Sequence, residues 1–142
     1  MLLDLFFLAL GHVSGAFILY LNHRFVFHGR LGKIFFLKPG RLLHARHHAH
    51  AYDRRRNNYI KAPLWGALAI SSLILLSGLA IHWFFALGLL TFSMLYSRRH
   101  EAIHNRDNYS EFYHHHKIHH ENPKVNFSGI YPTIDKIFGT SK

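Results

Sequence analysis

What most constrains this chain is the segregation of its charge. All 17 lysines and arginines fall in two blocks, residues 22–63 and 97–142, while residues 1–21 and 64–96 carry one charged side chain, Asp4. A water-soluble domain spreads charge over its whole surface. The mean hydropathy of +0.01 therefore averages two unlike kinds of segment. Residues 1–21 would form roughly 32 Å of helix, matching a hydrocarbon core of about 30 Å. A cleaved secretory signal wants a basic start, and Met1-Leu2-Leu3-Asp4 supplies none. Residues 64–96 would make about 50 Å of straight helix, too long for one span. Ser77-Gly78 near their centre predicts a hairpin of two short helices, 64–76 and 79–96. Its first arm is short enough to need shelter or a thinned bilayer.

Two crossings return a chain to the side it left, so the hairpin places both basic blocks on one face. The positive-inside rule makes that face cytosolic. The expected fold is an all-α integral membrane protein of about three membrane helices, one N-terminal and two in the hairpin. A cytosolic helical, histidine-rich cap joins them, and residues 1–142 form a single domain. The net charge of +10 flanks the apolar spans, where anionic headgroups and topology account for it, so nucleic acid is not the expected partner. The absence of cysteine excludes a disulfide framework, a thiolate metal site and a cysteine nucleophile.

Histidine is the second anomaly, with 15 residues. Ten of them fall in four clusters: His23/His28, His44/His47/His48, His100/His104 and His116/His119/His120. On a helix, residues i, i+3 and i+4 share a face, so each H-x-x-H-H projects three imidazoles into an arc of about 100°. His23 and His28, five apart, would diverge by about 140° on an α-helix, which suits two different metals or a helix end. A catalytic zinc takes typically three protein ligands and a structural one four. Ten imidazoles exceed one ion, and two ions with about four or five each would use them all. Imidazole serves zinc, copper, iron and nickel alike. The carboxylate-rich di-iron bundle is excluded by ligand supply. It needs two Glu-x-x-His motifs plus further glutamates on other helices, and the N-terminal half has only Asp4 and Asp53 as acids.

The order H-x-x-x-x-H, H-x-x-H-H, apolar hairpin, H-x-x-x-H, H-x-x-H-H resembles the fatty acid hydroxylase superfamily of membrane histidine-box oxygenases, which includes sterol desaturases. The tail Asn126-Phe127-Ser128 followed by Asp135 and Phe138-Gly139-Thr140 is similar to that family's ending. The resemblance implies a non-haem di-iron centre, for which zinc would substitute in purified protein. Its implied ligands are His23, His28, His44, His47, His48, His100, His104, His116, His119 and His120. It also implies hydroxylation of a lipid C–H bond (fatty acyl, sterol or related) by dioxygen, with desaturation at the same site as the alternative. Apart from the metal ligands no separate catalytic residue is implied. Electrons are expected from a separate ferredoxin or b-type cytochrome with its reductase, because no haem-binding or flavin-binding motif is present. The expected location is multi-pass in a bacterial inner membrane or the endoplasmic reticulum. The other function class is a metal-handling membrane protein without oxygenase activity, for which only His12 and His82 lie within the spans.

His50, His114 and His115 flank the boxes, and supporting or surface roles are expected for them because the ten already suffice. Asp53 and Asp135 are the expected acceptors that would fix imidazole tautomers, with His50 and His115 as further supports. In the fourth box His116 gives the same H-x-x-H-H register as His44, so it is preferred to His115 as a ligand. His12 and His82 are expected to make helix-packing hydrogen bonds.

Overall fold

The computed structural model describes residues 1–51, 64–105 and 111–142, and no strand occurs among them. Helix α1 (Leu2–Leu21) runs directly into one π-helical turn, Asn22–Phe27. A 3₁₀ turn at Leu31–Lys33 leads to α2 (Lys38–Ala49), whose first turn accommodates Pro39 because its missing N–H would have no helical partner there. Then come α3 (Leu64–Leu79), α4 (Trp83–Asn105), α5 (Glu111–Glu121) and the short α6 (Pro132–Ile137). Leu2–Phe27 is the one described helix long and apolar enough to cross a membrane. With 16 residues, α3 falls short of the roughly 20 that a span needs. The apolar start of α4 gives way to Arg98, Arg99 and His100.

The apolar hairpin forms, but its break lies later than Ser77-Gly78. Ser77 stays helical with its hydroxyl on the Ile74 carbonyl. Gly78 stays helical because α4 passes close by: a methyl group there would lie 2.8 Å from the Ala86 Cα. The turn falls at residues 80–82. The His82 ring nitrogen accepts the Phe84 N–H at 3.3 Å and so satisfies one of the unpaired amides at the start of α4. The predicted second arm, 79–96, is correspondingly too short. Helix α4 continues through the third histidine box to Asn105.

α1 and α4 pack against each other through glycines. A side chain at Gly11 would strike the Phe85 carbonyl, one at Gly88 the Leu8 carbonyl, and one at Gly15 the Phe92 ring. Gly11 and Gly15 form a small-xxx-small pair of the kind that lets apolar helices approach backbone to backbone. Below this contact a core of Ala16, Tyr20, Phe92, Phe127, Ile130 and Ile134 joins the helix pair to the C-terminal tail. The tail is anchored by Asn126, which adopts a left-handed φ of 56°. Its buried amide donates to the His115 and Lys142 carbonyls and accepts the Lys142 N–H. The same helices thus carry the histidine boxes at one end of the pair.

Candidate metal centre

Two groups of imidazoles form where the π turn, α2, α4 and α5 meet. The first holds His23, His28, His44, His48 and His119; the second holds His47, His104, His116 and His120. Within each group the ligand nitrogens all lie within 4.8 Å of one another. The groups are neighbours, with the His48 and His120 rings 4.3 Å apart.

Helical spacing explains the division. Relative to residue i, residue i+4 lies about 40° to one side and residue i+3 about 60° to the other. On α2, His44 and His48 therefore aim together into the first group and His47 turns into the second. On α5 the pattern inverts: His116 and His120 serve the second group and His119 the first. Each H-x-x-H-H helix thus spans both groups.

Of the two expectations for His23 and His28, the helix end holds and the two different metals do not: His28 caps the π turn that ends the first helix. The two histidines lie in one group, with rings 5.1 Å apart. The expected divergence assumed an α-helix, but the His28 N–H bonds to the His23 carbonyl, closing an i→i+5 turn. That widened turn brings residues five apart onto one side. Single π turns are rare and concentrate at functional sites.

A second layer of acceptors fixes the rings. The His23 Nδ1–H donates to the Phe127 carbonyl at 2.6 Å, His119 to Val125 at 2.7 Å, and His104 to Ala51 at 3.2 Å. With the proton on Nδ1, each of these rings presents an Nε2 lone pair to its group. The partners lie close: His23 to His44 at 3.0 Å, His119 to His48 at 3.1 Å, His104 to His116 at 3.0 Å. One nitrogen, His44 Nε2, faces those of His23, His28 and His48 at 2.9–3.0 Å, yet it can carry at most one proton. Buried His47 Nε2 has no hydrogen-bond partner among the described residues. Convergent lone pairs repel one another, and a cation among them would relieve this. The donor set therefore fits two divalent metals.

Burial and the neighbouring imidazoles favour the neutral form these rings need as ligands. Burial first, then His119 and Arg41, lowers His28 to about 4. Burial with nearby histidines lowers His47 and His48 to about 3. His44, His116 and His120 also lie below the ordinary histidine range, chiefly through burial.

The family model for fatty acid hydroxylase matches residues 8–140. The chain belongs to the fatty acid hydroxylase family. Neither the curated proteins nor the solved structures contain a significant match. Membership suggests an oxidoreductase of the lipid hydroxylase or desaturase type. The family is membrane-associated and typically metal-dependent, in keeping with the one apolar spanning-length helix among the described residues and with the histidine groups.

Nine of the ten histidines that the family resemblance singles out fall in the two groups. The tenth, His100, is buried beside the second, its ring 4.7 Å from His104 and 4.8 Å from both His47 and His116. His115 points away from both groups and donates to the Asp135 carboxylate at 2.9 Å. Asp135, fully buried, also accepts the Phe127 and Ser128 amides at 2.7 and 2.9 Å and the Thr140 hydroxyl at 2.7 Å. It therefore touches no ligand imidazole directly. Through the Ser128 N–H it holds the Phe127–Ser128 peptide, whose carbonyl holds His23. His50 closes the C-terminal end of α2, half-buried, and His114 is exposed. Asp53 lies outside the described residues. His12 bonds to Tyr131 at 2.8 Å and Thr91 at 3.2 Å, joining α1 to α4 and the tail. His82 stacks on Phe7.

Sequence reasoning missed the carbonyl acceptors and the π turn. Backbone carbonyls leave no residue-type signal. The five-residue spacing of His23 and His28 was the available clue to the turn.

Proposed function

We propose that this chain is a membrane-bound non-haem di-iron oxygenase that hydroxylates a C–H bond of a lipid, fatty acyl, sterol or related. The observation that carries this is the pair of adjoining imidazole groups at the end of an apolar helix pair, shared by α2 and α5. The proposed ligands are the nine grouped histidines, with His100 completing the second group. Iron held there supplies the site at which dioxygen is reduced and the C–H bond oxidised. Overall, one oxygen atom enters the lipid and the other leaves as water, with two electrons delivered one at a time by a separate ferredoxin or b-type cytochrome and two protons taken from the surrounding water.

The protein's own residues prepare that chemistry. The carbonyls of Phe127, Val125 and Ala51 hold the rings of His23, His119 and His104 with Nε2 inward. The Phe127 ring sits 5.7–5.9 Å from those of His23, His28 and His119, an apolar wall that keeps water from the first group. Three membrane helices with a cytosolic cap complete the proposal, leaving the site within reach of an acyl chain in the bilayer.

Purified protein loaded with iron, a reductase system, candidate lipids and isotopically labelled dioxygen tests the reading. Labelled hydroxyl in a lipid product is expected. Unlabelled desaturated product would move the assignment to desaturation. No oxidised product from fatty acids, ceramides, sterols or carotenoids would favour metal handling.

A further inference from the structure

The segment between the first and second histidine boxes exposes its most apolar residues. Phe35 is 90% and Phe36 74% exposed. They lie beyond the spanning-length helix, so a span does not account for them. They form the apex of a built turn. The Leu37 and Lys38 amides both bond to the Ile34 carbonyl, and those of Lys33 and Ile34 bond back to Arg30 and Leu31. The turn is fastened to the π turn, since Gly32 lies too close to the Val26 carbonyl for any side chain.

Cations flank the apex on both sides: Arg30 and Lys33 before it, Lys38 and Arg41 after it. No acid occurs between Asp4 and Asp53. Exposed Ile18 and Leu21 at the end of α1 and Phe25 in the π turn, spaced three and four apart, precede this segment. Aromatic rings at an apex flanked in sequence by cations suit the headgroup boundary of an anionic bilayer. An acidic protein would pair with the cations but would not call for two exposed phenylalanines.

We propose that the 30–41 turn is a membrane-interface anchor, with Phe35 and Phe36 inserted among the acyl chains and the flanking cations on anionic lipid phosphates. Through Gly32 it ties the depth of the first two histidine boxes to the bilayer surface. The inference rests on the membrane reading above and adds to it a specific contact surface.

The chain has no cysteine, so single introduced cysteines can be spin-labelled cleanly. Phe35→Cys, Phe36→Cys, Val13→Cys on the exposed face of α1 and Lys124→Cys on the surface would be labelled in the full chain. Nanodiscs of phosphatidylcholine, with and without phosphatidylglycerol, would hold them, and collision with oxygen and with a polar nickel chelate would be measured. The expected result is that labels at 35 and 36 resemble Val13, rich in oxygen and poor in chelate. Protection should be greater with phosphatidylglycerol, and Lys33→Gln/Lys38→Gln should remove that lipid dependence. Labels at 35 and 36 as open to chelate as Lys124 in both lipids, with Val13 protected, would overturn the anchor alone. An open Val13 label would overturn the membrane reading and the anchor together. Shielding that comes only on adding an acidic plant-type ferredoxin would overturn the lipid assignment in favour of a protein partner.

Discussion

Asp135→Asn isolates the scaffold behind the metal centre without touching an imidazole of either group. The carboxylate receives four donors, the Phe127 and Ser128 amides, the Thr140 hydroxyl and the His115 ring, all within 2.7–2.9 Å. An asparagine side chain keeps one acceptor oxygen, good for two of them, and turns an N–H₂ group towards the other two. Of that pair only the backbone amide must donate, since the Thr140 hydroxyl and a neutral His115 nitrogen can also accept, so one buried donor is stranded and the variant should lose about 1–3 kcal/mol of stability. The Phe127–Ser128 peptide would also lose its hold, and its carbonyl orients His23. Supporting contacts of this kind are worth about 10–100-fold in metal affinity. Thermal unfolding in detergent and iron titration of the refolded variant measure both effects. The sign with pH follows from the carboxyl. Burial pushes it up, but the hydrogen bonds from His115, Ser128 and Thr140 outweigh this and hold it below the ordinary range. Its contribution is therefore present above the unfolded value of about 3.9 and is lost only as the pH falls through the lower folded value. The deficit of Asp135→Asn should be constant near neutral pH and shrink only in strong acid. A variant as stable as the parent, with unchanged iron affinity, would refute this role.

His116→Ala should lose the ion of the second group, and His114→Ala should keep both, because His114 is exposed. Full occupancy in His116→Ala with loss in His115→Ala, read by metal analysis, would reverse the assignment. Gly11→Leu should destabilise the α1–α4 pair by at least about 1–3 kcal/mol, since its side chain meets the Phe85 backbone; an unchanged melting temperature would count against that packing. Glycosylation or cysteine-labelling reporters at residues 54–56 and after Lys142 should report the same side of the membrane. Opposite sides would break the single-site topology.

Much of this arrangement was legible because it rests on short periods. The i, i+3, i+4 spacing of His44, His47 and His48 requires one helix face, and the same spacing recurs at His116. The hairpin was readable as an overlong apolar run. Its break was not, because Gly78 serves a close helix approach and the cap comes from the His82 ring, a role that composition does not mark. The placing of His23 and His28 together was obscured by assuming α geometry where the chain makes a π turn. Asp135 was readable as a supporting acid, but its route to His23 passes through the Phe127–Ser128 peptide group, which no residue identity reveals. The glycine contact between α1 and α4 has a sequence signal in Gly11 and Gly15, but an apolar run carries such glycines whether or not another helix packs there.

The central claim is that the two imidazole groups hold one iron pair. Mössbauer spectroscopy of protein loaded with ⁵⁷Fe, together with iron per chain, tests it most directly. The account predicts two irons per chain, one for each group, in two distinguishable nitrogen-rich environments with magnetic coupling between them. A single iron, or two without coupling, would contradict it.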